Sequence, residues 1–236
     1  AKISATATKS GNGWTLSGTK AFVAEAATAN LMIVAAQVDG AIKLFLVPAD
    51  ADGITKSTRV VADMRNYAEV TFDNVSLDDG ALLAEGGDDL LDAVLDRARV
   101  GVCAEMLGMS VEAFNTTLEY LKTRRQFGQL LSSFQALQHR MANLFTEIEL
   151  MRSSVEAALE AIDAGRSDVA QLVSLAKATA SDTMHLVSRE MIQLHGGIGV
   201  TDEHDAGMYL KRARVLEHAW GNASFHVNRF AKLNGY

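Results

Sequence analysis

The run Thr123-Arg124-Arg125-Gln126-Phe127-Gly128 sets two adjacent guanidinium groups beside a side-chain amide, an aromatic ring and a glycine. That set suits a phosphate or nucleotide corner. Arginine offers a planar fork of donors to pyrophosphate oxygens, and glycine lets the backbone approach a ligand closely. The same run also reads as an ordinary basic helix end set against the helix dipole. Seven residues after Phe127, Phe134-Gln135 opens a new helical stretch. An amide buried beside that ring would need partners. A third segment, Gln193-Leu194-His195-Gly196-Gly197-Ile198-Gly199, is rich in glycine. It follows a helix, whereas a dinucleotide fingerprint follows a strand and opens a helix. Alone it is a glycine-rich helix stop.

Other chemistries find little support. His218 and His226 are eight apart and His195 and His204 nine apart, whereas helical metal pairs need three or four. No metal site is expected. A serine nucleophile elbow is missing. Cys103, the only cysteine, sits in the apolar stretch Val100 to Leu107 and reads as core. One cysteine allows no intrachain disulfide, which fits a reducing compartment such as the cytoplasm. No apolar run approaches the ~20 residues of a membrane span. The net charge of −7 lacks the basic footprint of a nucleic-acid binder. The 236 residues suffice for two ordinary domains.

These segments need elements to position them. The first third alternates apolar and polar residues from Ile3 to Ala7 and again at Trp14 and Leu16, with Gly11-Asn12-Gly13 between. Leu31–Ala36 and Ala41–Val47 are apolar runs of strand length separated by Asp39-Gly40, a second hairpin signal. Val70, Phe72 and Val75 suggest one more strand. Short strands with tight turns predict a small antiparallel, barrel-like domain over residues 1–84. From about Asp88 the period becomes helical. Leu144, Ile148, Met151, Val155, Leu159 and Ile162 form one predicted face, ended at Gly165. Ser167 is the expected cap of the next helix, with Leu172, Leu175, Thr179, Thr183, Leu186 and Leu194 facing inward. A last helix is predicted over 205–230. Residues 85–236 thus read as an antiparallel four-helix bundle, and the chain as α+β.

Taken in order on long helices, Thr123 to Gly128, Phe134-Gln135 and Gln193 to Gly199 together resemble the acyl-CoA dehydrogenase family. Arg99, Gly108, Tyr120 and Arg124 keep the family's spacing. Gly18 to Val23 and Thr71 to Val75 are similar to its middle β-domain. The resemblance covers essentially the whole chain. It implies a flavoprotein that desaturates an acyl-CoA thioester between its α and β carbons. A glutamate would take the α proton, FAD the β hydride, and an electron-transfer flavoprotein the electrons. Arg124, Gln126, Phe127 and Gln135 would contact the adenine or pyrophosphate part of FAD. Gln193, Gly196 and Gly197 would hold the ADP portion across the interface of a homo- or hetero-oligomer, a dimer or tetramer. Phe22 would pack near the flavin ring, and Arg99 would lie at the substrate pocket.

The resemblance also exposes departures. The family's N-terminal helical domain, and the Thr-, Gly- and Ser-rich β stretch that precedes the residues shown, are absent from this sequence, so the chain reads as truncated, cleaved or incompletely shown. The two usual places of the base hold Ala98 and Trp220, neither of which can take a proton. Glu105 and Glu217, within about two turns, are the fallback candidates. Ala24 stands where a hydroxyl usually meets the flavin. Ala104 to Gly108, Gln193 to Gly197 and Thr201 to His204 look most like the branch acting on steroid side-chain CoA thioesters, in which some members pair with a subunit lacking the base. Three readings follow: a dehydrogenase, a non-catalytic subunit completing a paralogue's FAD site, and a flavin oxidase or monooxygenase on the same fold.

Overall fold

The structure, a computed structural model, describes residues 3–84 and 87–236. The chain falls into two compact units, residues 1–93 and 94–236. The junction expected between 84 and 85 reaches residues outside the described ones.

The first unit is a seven-stranded sheet. Its strands are β1 (Thr6–Ser10), β2 (Gly13–Ala24), β3 (Leu31–Val38), β4 (Ala41–Pro48), β5 (Ile54–Val60), β6 (Asn66–Asp78) and β7 (Leu82–Ala84). Their order is β5-β6-β2-β1-β3-β4-β7. The expected barrel-like closure is not formed, because that order has two ends, β5 and β7. Nor is the sheet wholly antiparallel: β1 meets β3 in parallel through Thr6 and Gln37. Alternation along a strand specifies a two-faced sheet, and it is silent on whether the edges join. The β3–β4 hairpin turns at Asp39 (φ 50°) and Gly40 (φ 85°), as a two-residue primed turn requires. The first hairpin turns on Gly11 and Asn12, since Ser10 pairs with Gly13. Trp14 packs edge-on against Phe45 at 5.3 Å in a core that includes Leu16, Val47 and Val70.

The second unit is helical: α1 (Gly87–Thr123, begun in the first unit), α2 (Gln135–Asp163), α3 (Val169–His195), α4 (Ala206–His218) and α5 (Ala223–Leu233). Two short strands, β8 (Arg125–Gln126) and β9 (Gln129–Leu130), form a tight hairpin between α1 and α2. The predicted last helix is two helices. Trp220 (φ 58°) and Gly221 (φ 111°) leave helical space, and Asn222 caps α5 by accepting from the Phe225 amide at 2.9 Å. The α2 stripe holds through Val155, then passes to Ala158 and Ala161, leaving Leu159 exposed. α3 departs further from expectation. It packs against α2, α4 and α5, so small residues such as Ala176, Ala180 and Ser181 face inward and Leu175 lies at the rim. Its N-cap position is Asp168 rather than Ser167.

Candidate functional site

The C-terminal ends of α1 and α3 and the start of α2 border a cleft of about 580 Å³. Five of the sequence-selected residues line it: Arg124, Gln126, Gln193, Gly196 and Gly197. Three more polar groups, Tyr120, Arg140 and His195, and an apolar wall including Leu131, Leu137 and Ile198 complete it. Each is placed by local structure. Arg124 is the first residue beyond α1, its amide bonded to the Tyr120 carbonyl at 2.8 Å. Its exposed guanidinium makes no side-chain hydrogen bond or ion pair among the described residues. The tight hairpin then returns the chain so that the Leu131 amide meets the Arg124 carbonyl at 2.9 Å. Across the cleft, Gly196 ends α3 at φ 63°. A Cβ added at Gly196 or Gly197 would meet no atom within 4 Å, so that backbone borders open space. Gly199 is different: its Cβ would lie 2.6 Å from the Ile192 carbonyl oxygen, which makes it a packing glycine.

His195, which the sequence reading passed over as part of a helix stop, stands behind this rim. It is buried between Tyr120 (4.4 Å) and His204 (4.2 Å). Its Nδ1 donates to the Met191 carbonyl at 2.7 Å, and burial holds its pKa below the usual value. The ring is therefore neutral at pH 7, with a lone pair on an Nε2 that has no partner among the described residues. The Tyr120 hydroxyl reaches the His195 carbonyl at 3.3 Å, tying α1 to the end of α3. Arg140 is neutralised by a two-pronged pair with Glu190 at 2.7 and 2.8 Å. Among the described residues that line the cleft, that leaves Arg124 as the guanidinium open to an anionic ligand.

Three predicted contacts lie elsewhere. Phe127 is 88% exposed and leans edge-on against Phe134. Gln135 is exposed, not buried, because α2 begins there with that side turned outward. Phe22, in the first unit, is exposed at φ 51°.

The two positions that the resemblance assigns to a base, Ala98 and Trp220, border a buried ionic cluster. The Asp96 carboxylate accepts from Arg99 at 2.7 Å and from both terminal nitrogens of Arg229 at 2.7 and 3.0 Å. Arg99 is only 5% exposed, and its Nε donates to the Trp220 carbonyl at 3.1 Å. His226 Nε2 donates to the same carbonyl at 3.2 Å. A bulky residue at φ 58° costs about 1–3 kcal/mol, and these two donors hold Trp220 there. Glu105 is paired with Arg212 at 2.7 and 2.9 Å. Glu217 lies 2.7 Å from Arg214. Both fallback carboxylates are thus engaged by guanidinium groups. Cys103 is buried, its thiol pushed up to about 12, and is core as expected. No metal-holding group occurs among the described residues, and no helix is long and apolar enough to cross a membrane.

A cleft bordered by Arg124, two amides and open glycine backbone lies on a helical unit that follows a β-sheet unit, and the chain is an α+β protein. The comparisons name it. Residues 85–233 match the acyl-CoA dehydrogenase C-terminal domain and residues 1–75 the acyl-CoA dehydrogenase middle domain. The chain belongs to the acyl-CoA dehydrogenase family. It is 30% identical over 236 residues to the mitochondrial short/branched chain specific acyl-CoA dehydrogenase of Rattus norvegicus, covering 96% of this chain and 54% of that protein. The chain therefore spans about half the length of that relative. The acyl-CoA dehydrogenase of Geobacillus kaustophilus superposes with a TM-score of 0.94 at 29% identity, over 100% of this chain and 65% of that one. A Tcur3481-Tcur3483 steroid ACAD superposes with a TM-score of 0.88 at 34% identity, over 98% and 62%.

Proposed function

We propose that this chain forms the middle and C-terminal parts of an FAD-dependent oxidoreductase that desaturates an acyl-CoA thioester and passes electrons to an electron-transfer flavoprotein. The observation that carries this is the convergence of Arg124, Gln126, Gln193, Gly196 and Gly197 on one cleft of a chain of this family. The residues fit an adenine dinucleotide. Arg124 suits a phosphate oxygen, the glycines admit a backbone-close ligand, and the apolar wall suits a purine face. The orphaned Nε2 of His195 awaits a donor such as an amine or a ribose hydroxyl. When bound, FAD supplies the hydride acceptor. This chain's residues bind and orient it, and Phe22, by resemblance, shields the ring.

A second reading is favoured by a specific observation. Ala98 and Trp220 cannot accept the α proton, and both fallback carboxylates are paired with arginines. A subunit of this kind would complete the FAD site of a base-bearing paralogue in a hetero-oligomer. The steroid ACAD neighbour, named for two chains, fits that arrangement.

The experiment is the flavin-to-chain ratio of the purified protein, followed by anaerobic addition of acyl-CoA. One flavin per chain that bleaches supports the dehydrogenase. Flavin acquired only with a second subunit supports the partner role. Absence of flavin in both settings overturns the proposal. Arg124→Ala should weaken flavin retention by roughly 1.5–3 kcal/mol, the worth of one charge-assisted hydrogen bond, with the melting temperature kept. Unchanged flavin content would make Arg124 a scaffold residue.

A further inference from the structure

The turn joining α4 to α5 carries Trp220 and is held by side chains from α1, α3 and α5. Arg99 and His226 both serve the Trp220 carbonyl. The third anchor is Lys177 on α3, whose exposure is 0% although it is a lysine. Its Nζ lies 3.1 Å from Ser181 Oγ, 3.2 Å from the Glu217 carbonyl and 2.9 Å from the Gly221 carbonyl. An ammonium has three N–H groups and no lone pair, so these three acceptors use it fully. A neutral amine has two N–H groups and a lone pair, which can accept from the Ser181 hydroxyl; its bonds to the Glu217 and Gly221 carbonyls then lose their charge assistance. Two of the acceptors bracket Trp220: one is in the last turn of α4, the other is the residue after it.

We propose that Lys177 is a positioning residue for residue 220: its ammonium ties the last turn of α4 to the Gly221 carbonyl, holds the left-handed Trp220–Gly221 turn closed, and loosens it on losing its proton. The inference rests on the reading above only in taking 220 as the place of the base. The turn and its lysine exist whether or not flavin binds.

The groups around Lys177 are accounted for. From α1, Cys103 is a neutral thiol, pushed up to about 12 by burial, and Arg99 is paired with Asp96. From α4, Glu217 is paired with Arg214. From α5, burial brings His226 down to about 4, so it is neutral at higher pH, and Arg229 is paired with Asp96. Burial first, then the charge of Arg99, brings Lys177 down to about 8 against the opposing pull of Glu217. Lys177 is the member of this cluster that titrates just above neutrality.

The chain has two tryptophans. Trp14 is buried in the sheet unit, whereas Trp220 is 48% exposed. In a Trp14→Phe background Trp220 is the sole reporter. Its emission and anisotropy are recorded from about pH 6 to about pH 9, a unit below the reference tyrosine pKa. The expected result is a transition centred near pH 8 toward a redder, more mobile tryptophan. Lys177→Arg keeps the charge throughout and should abolish the transition. Lys177→Met should show the high-pH signal at every pH. Ser181→Ala, which removes one acceptor from the ammonium, should move the midpoint down. If Lys177→Met does not fold, the parent and Lys177→Arg traces decide. A flat parent trace, or the same transition in Lys177→Arg, overturns the inference. Flavin content, measured separately, bears on the proposed function and not on this trace.

Discussion

Asp96 carries one negative charge between two guanidinium groups, all three buried or nearly so. Removing a partner from a buried pair leaves an uncompensated charge and costs about 3–5 kcal/mol. Asp96→Asn should therefore lower unfolding free energy by that order in urea titrations. Glu119→Gln, which breaks the exposed pair with Lys122, should change it by less than about 1 kcal/mol. A small effect at Asp96 would mean that Arg99 and Arg229 find water or carbonyls instead. His226 sets a pH dependence at the same scale. Its Nδ1 is buried without a partner, and burial lowers its pKa from 6.5 to about 4. Between those values the unfolded chain binds the proton and the folded chain does not. Stability therefore rises with pH through this window: it is fully present above pH 6.5 and lost as pH falls toward 4. The full linkage amounts to at most about 3 kcal/mol. Urea midpoints measured from pH 4 to 7 should slope accordingly, and His226→Gln should flatten part of that slope. An unchanged slope in the variant would assign the acid sensitivity to other groups.

At the scale of elements, two glycines with positive φ separate turn chemistry from packing. Gly40 at φ 85° faces open space, so Gly40→Ala meets backbone strain alone, about 1 kcal/mol. Gly221 at φ 111° would place a Cβ 2.5 Å from the Phe225 ring and 2.8 Å from His226 Nε2. Gly221→Ala should cost on the order of 3 kcal/mol and disturb Trp220 emission, whereas Gly40→Ala should leave that emission alone. Equal melting shifts would show that α5 moves aside. The same elements show what was legible in the sequence. Asp39-Gly40 announced its hairpin because a two-residue primed turn demands those residue types. Arg124, Gln126, Gln193, Gly196 and Gly197 became legible as a set only through the family resemblance, since from the residues alone their segments read equally as a basic helix end and a glycine-rich helix stop. The α4–α5 break was missed although Gly221-Asn222 spells a helix stop followed by a cap. His195 and Lys177 were missed for a physical reason. Each is a polar residue on a helix interior face, and its partners lie on segments far away in sequence. A lysine among Leu175, Ala176, Ala178 and Ala180 was the available signal, since a lysine in such company is buried only when its donors are served.

At the scale of the whole molecule, the cores are separate in composition. One is built from residues between Ala5 and Leu82, and two from residues between Val100 and Leu216. A chain cut to residues 87–236 should therefore fold alone. It retains the whole of α1, the Asp96–Arg99–Arg229 cluster and the cleft at Arg124, and both helical cores are intact. The expected result is a strongly helical circular dichroism spectrum that melts in one cooperative urea transition. A chain cut to 103–236 keeps nearly the same apolar core but loses Asp96 and Arg99. Arg229 would then be buried with only Ser174 and the Ala170 carbonyl as partners, and the Trp220 carbonyl would keep a single donor. Leaving that charge uncompensated should cost about 3–5 kcal/mol, a large share of the roughly 5–15 kcal/mol that holds a domain folded. The shorter piece should be molten, with helical signal but no cooperative transition. Cooperative unfolding of both pieces would show that packing alone suffices and that the ionic cluster serves the Trp220 turn; failure of the longer piece would show that the helical unit depends on the sheet.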